Sequence, residues 1–130
     1  MIRRALPLVA ALLLAGCNGG TVDHHDLTKD AGTLDSIACE GALVADGVAR
    51  GRTTSFYARE QTEELRVQTS NLVHALAVRK TIPGLEQRVR AKSREAAALA
   101  RVLQRLHDHP DDRAVGANVA RALKRAGSCP

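Results

Sequence analysis

From Thr33 onward the apolar residues return every three or four positions, the spacing that places them on one side of an α-helix. Leu34, Ile37, Gly41, Val44 and Val48 make the first stripe and predict a helix ending near Gly47 or Gly51, weakened inside by Gly41 and Gly47. A second helix is expected from about Thr54 to Lys80. Leu65, Thr69, Leu72 and Leu76 lie on its apolar stripe, while Glu60, Glu63, Glu64, Arg66 and Arg79 fall mostly elsewhere. Ile82-Pro83-Gly84 interrupts the pattern, and Pro83 suits the first turn of a third helix, where its missing N–H would have no intrahelical partner anyway. Leu85, Val89, Lys92, Ala96, Leu99, Leu103 and Leu106 then alternate steps of four and three, a heptad seam containing one lysine. The second and third helices should therefore form an antiparallel hairpin. His109-Pro110-Asp111-Asp112 closes the third helix and opens a fourth, with Pro110 expected at its first position and the two carboxylates near its positive end. Val115, Val119, Ala122, Leu123 and Ala126 give the fourth an apolar face before a stop at Gly127.

The N-terminal part of the chain reads differently. Residues 18–26 are polar, contain glycine and show no hydrophobic period, so residues 17–32 are expected to be a flexible tether with an r.m.s. reach of ~20 Å for about 12 residues. Before them, Arg3 and Arg4 precede an apolar run from Ala5 to Ala15, the layout of a secretory signal. As a helix that run would be ~16 Å long, about half of a hydrocarbon core, which is too short for a membrane span. It ends in Leu14-Ala15-Gly16-Cys17. This tetrapeptide resembles the lipobox of bacterial lipoproteins, in which small residues precede a cysteine that becomes lipidated and begins the mature chain. The resemblance covers the leader alone. It implies that Cys17 carries a thioether-linked diacylglycerol and an amide-linked acyl chain such as palmitate, a combination that anchors stably where one chain is marginal. It also implies that Asn18, standing where aspartate favours inner-membrane retention in enteric-type lipoproteins, directs the protein to the outer membrane, facing the periplasm. The chain thus divides into a signal peptide (1–16), a lipidated cysteine and tether (17–32) and a helical domain (33–130).

Composition sharpens the fold class. The chain has 130 residues, 45% of them hydrophobic, yet Phe56 and Tyr57 are its only aromatics and it has no tryptophan. Beyond residue 16 there are 18 alanines, which lose no side-chain entropy in a helix and permit close helix packing. An all-α fold follows, either a small helical bundle or a long helical hairpin with two shorter helices laid against it. A β-sandwich does not fit. Beyond residue 16 the charge is 17 Lys and Arg against 14 Asp and Glu, and this mild excess, with so few stacking aromatics, argues against a nucleic-acid partner.

Three cysteines are present, and with Cys17 lipidated only Cys39 and Cys129 remain. In an exported chain they are expected to form a disulfide rather than a redox centre, since no Cys-x-x-Cys spacing occurs. Histidines cluster at His24-His25-Asp26 and His107-Asp108-His109, with His74 apart. On a regular helix His107 and His109 point about 200° apart, so solvated residues are the favoured reading and no metal or other cofactor is expected. Arg88, Arg90, Lys92, Arg94, Arg101 and Arg105 make the third helix basic, but they spread around it instead of forming one patch. No nucleophile stands beside a base and no glycine-rich phosphate loop occurs outside the tether, so an enzyme is not expected. What remains is a lipid-anchored envelope protein that binds or scaffolds another envelope protein. The alternatives are a periplasmic metal-binding or metal-sensing lipoprotein using the histidines at 24, 25, 107 and 109, and a structural lipoprotein that oligomerises through the heptad seam.

Overall fold

The computed structural model describes residues 20–130, which form four helices: α1 (His24–Ala49), α2 (Ser55–Val78), α3 (Glu86–Asp108) and α4 (Arg113–Ala126). Short connections force successive helices to run antiparallel. The bundle therefore has two poles, one where α1 begins, α2 ends and α3 begins, and an opposite one where α2 and α4 begin. The most extensive packing is of α2 on α3 and of α1 on α4, and α1 also lies against α2 and α3. This chooses the compact bundle over the hairpin with loose additions. Leu34, Ile37, Val44 and Val48 of α1, Leu65 of α2, Leu99, Leu103 and Leu106 of α3 and Val119 and Leu123 of α4 share one core. The fully buried hydroxyls of Thr62 and Thr69 in α2 stay satisfied by donating back to the carbonyls of Ala58 and Leu65, each at 2.7 Å.

The first helix starts nine residues before the expected Thr33, and the tether is correspondingly shorter. The cause is local. The Asp23 carboxylate accepts from the Asp26 N–H at 2.9 Å, while the Asp26 carboxylate accepts from the Asp23 N–H at 3.2 Å, a reciprocal capping box. Val22 before the cap and Leu27 after it are both buried in a second apolar cluster with Leu76, Leu85 and Val89, the pairing of a hydrophobic staple. Val22 is also tied through its backbone. Its N–H donates to the Lys80 carbonyl (2.7 Å) and its carbonyl accepts from the Ile82 N–H (3.1 Å).

Neither proline begins a helix. Pro83 lies in the turn before Leu85, the cap of α3, and Pro110 lies before Asp112, whose carboxylate accepts from the Val115 N–H at 3.0 Å to start α4. Thr54 caps α2 through the Tyr57 N–H. Gly51, with φ +65°, makes the left-handed turn that ends α1.

Gly41 does not interrupt α1, because it sits where the helices come closest: a Cβ there would lie 2.9 Å from the side-chain tips of both Leu103 and Leu123. Gly116 plays the same part on α4. A Cβ on it would lie 2.8 Å from the Ala49 nitrogen and 2.9 Å from the Ala45 oxygen, so the α1–α4 approach depends on its absence.

Candidate functional site

The heptad seam of α3 is buried throughout except at Lys92. There the seam opens. Lys92 runs its aliphatic stem along the surface and brings its ammonium to Glu95 at 2.7 Å, with about a fifth of the side chain exposed. Beside it lies a cleft of about 250 Å³ between α1, α3 and α4. The walls are small and apolar: Ala31, Leu34 and Ala38 from α1, Ala98, Leu99 and Val102 from α3, Ala122, Leu123 and Ala126 from the last turns of α4. Asp35, Lys92 and Glu95 supply its charge. The cleft exists because α4 is short. At 14 residues it covers ~21 Å, against ~39 Å for the 26 residues of α1, so it leaves part of the α1–α3 face without a fourth helix.

The cysteine pair stands next to two residues of the cleft lining in the chain, Cys39 after Ala38 and Cys129 shortly after Ala126. Cys39 and Cys129 are joined, with Cα atoms 5.3 Å apart, and the bond fastens the segment after α4 to the middle of α1. Gly127 permits the approach, since a Cβ there would lie 3.0 Å from the Ala38 Cβ and 3.1 Å from the Cys39 sulfur. Cys17, the predicted lipidation site, falls outside the described residues.

The two histidine pairs are separated. Arg88 at the start of α3 donates to His24 Nδ1 at 3.1 Å, whereas His107 near the end of α3 stands 3.8 Å from Glu63 and 3.3 Å from Asp108. These positions on α3 are ~28 Å apart along the helix axis. Among the described residues no group of three or more His, Cys, Asp or Glu side chains is placed to hold a metal ion. Hydrogen bonds from Arg66 hold Glu63 below the usual carboxylate range, and bonds from Gln104 and then His107 do the same for Asp108. Both carboxylates are thus occupied by their own helix neighbours or by a helix packed beside them. Of the cations of α3, Arg88, Arg90, Arg94, Arg101 and Arg105 are exposed, and at ~100° per residue Arg90, Arg94, Arg101 and Arg105 fall within ~60° of one another on the outer side of the helix, so those four are not dispersed around it as expected.

One carboxyl is placed at a cost. Asp30 has an oxygen that is buried without a hydrogen-bond partner, and burial pushes its pKa above the ordinary 3.8 although Arg79 pulls the other way. An acid whose folded pKa is raised destabilises the fold where it must be ionised, so the penalty is present at neutral pH. It disappears as pH falls through the raised value and is absent below 3.8. Asp30→Asn is therefore expected to raise the melting temperature at pH 7 and to have a smaller effect on acidification. A melting series from pH 7 to pH 3 checks this, and a gain that grows with acid would contradict it.

No protein-family model, curated protein or solved structure matches this chain. Among the described residues no helix is long and apolar enough to cross a membrane. The functional reading therefore rests on the cleft, the disulfide and the leader.

Proposed function

We propose that this protein is a lipid-anchored cell-envelope lipoprotein, held at the outer membrane and facing the periplasm, that works as a non-catalytic binding module for another envelope protein. The observation that carries the binding part is the apolar cleft beside Lys92. Its volume of about 250 Å³ is below the ~300–1,000 Å³ usual for small-molecule sites, and its walls are alanine, leucine and valine. Such a site suits one or two apolar side chains of a partner, with Asp35, Lys92 and Glu95 at hand to fix orientation. The lipobox at Leu14–Cys17 supports the anchor. The Cys39–Cys129 bond supports an oxidising compartment, and it leaves Cys17 as the cysteine outside the disulfide.

The test is a comparison of two lipidated chains. Ala98 lines the cleft but is exposed, so Ala98→Glu should block the cleft without unfolding the bundle. A partner crosslinked in intact envelopes by the unchanged chain should be recovered at least about tenfold less by the variant, the equivalent of ~1.4 kcal/mol. Equal recovery at equal melting temperature would remove the cleft from the binding surface.

A further inference from the structure

The membrane anchor and the folded domain are joined by very little chain. Gly20 is already held, its carbonyl accepting from Arg79 Nε at 3.0 Å, and the same guanidinium donates to Asp26 at 3.1 Å. Val22 follows, buried and bonded to Lys80 and Ile82. From Cys17 to Gly20 a fully extended backbone spans at most ~11 Å. That reach is much less than the length of the bundle, since α2 alone runs ~33 Å from Phe56 to Val78.

We infer that the pole formed by the start of α1, the end of α2 and the α2–α3 turn sits directly on the phospholipid headgroups, with Val78 at the contact. The inference rests on the lipid-anchored reading and adds an orientation to it. The surface of this pole suits the position. Val78 is 65% exposed at the last residue of α2, an apolar side chain that the fold leaves uncovered, and exposed Lys80 stands two residues on. Arg88 adds a second exposed cation. The carboxylates of Asp23 and Glu86 lie nearby and accept from the Asp26 and Gly84 N–H groups, neutral donors that leave the charge of the pole mixed, so exposed Val78 and the short reach, rather than a net positive charge, favour this pole. Lysine and arginine beside an apolar residue match an interface in which phosphates overlie acyl chains. In this orientation the long axis stands away from the bilayer and carries the opposite pole, with exposed Phe56 and Tyr57, into the periplasm.

The absence of tryptophan makes the test direct. Val78→Trp and Phe56→Trp are each made in the full chain, expressed in a bacterial host, checked for acyl mass, and reconstituted into vesicles of phosphatidylethanolamine and phosphatidylglycerol with brominated acyl chains. Bromine quenches only at close range. The indole at position 78 should lose at least about half of its emission relative to unbrominated vesicles, while the one at position 56 should be unchanged. Acylated protein with an unquenched indole at 78, or with equal quenching at both positions, would overturn the orientation alone. A product without acyl mass would overturn the anchored reading and the orientation with it.

Discussion

Replacing Cys39 and Cys129 together by serine should lower the stability of the domain by about 4–5 kcal/mol in the chain-entropy model, which corresponds to a fall in melting temperature on the order of 20 °C. The size follows from the separation of 90 residues, since the bond closes nearly the whole described domain into one loop and restricts its unfolded ensemble accordingly. The domain has few other large contributions, because its core is built from leucine, valine and alanine with both aromatics left at the surface. The bond also lies next to the cleft, whose wall includes Ala38 beside Cys39 and Ala126 at the end of α4. Loss of the bond should therefore loosen the segment after α4 first. Thermal unfolding with and without reductant checks the effect, and the reduced unchanged protein should melt close to the double variant. Equal melting of oxidised and reduced protein would show that the staple contributes nothing.

The second large effect is expected at Gly116. Gly116→Val places a branched side chain where even a Cβ would meet backbone atoms of α1 at 2.8 and 2.9 Å. Flexible side-chain tips can yield at such a contact, but a helix backbone cannot without moving the helix. The expected loss is about 3 kcal/mol, the upper end of overpacking penalties, because α1 and α4 must separate along their whole contact. Gly32→Ala is the informative control. It makes a comparable removal of glycine from a helix, but no atom lies within 4 Å of the added Cβ, so the helix should gain about 0.5–1 kcal/mol. Chemical denaturation of both variants checks the pair. Similar effects at the two positions would mean that α4 does not approach α1 as closely as described.

Much of this architecture is written in the periodicity. The stripe Leu34, Ile37, Gly41, Val44, Val48 is buried along its length, and so is the seam from Leu85 to Leu106 apart from Lys92. The Cys39–Cys129 pair was legible once the lipobox resemblance set Cys17 aside from the three cysteines. The start of α1 was less so, because Val22-Asp23-His24-His25-Asp26-Leu27 looks polar to a search for apolar period. Its signal lies instead in the capping box from Asp23 to Asp26 and in the Val22–Leu27 staple, a short-range pattern rather than a repeating one. The prolines misled for a related reason. Both Pro83 and Pro110 are compatible with a first helical turn, but Leu85 is drawn into the apolar cluster of the first pole and Asp112 supplies a better cap. The cleft was not legible at all. A lysine in a heptad seam signals a flaw there, but whether the flaw is filled depends on how far α4 extends along α1, which only packing decides.

The central claim is an oxidised helical module anchored by lipid on Cys17. The measurement that tests it most directly is the intact mass of the full chain after expression in a bacterial host and extraction from membranes, taken with alkylation before and after reduction. The account predicts a chain beginning at Cys17 that carries the mass of diacylglycerol and an amide-linked acyl group, no alkylation before reduction, and two alkylated thiols after it. A water-soluble product without acyl mass, or an acylated one with Cys39 and Cys129 open to alkylation from the start, would contradict it.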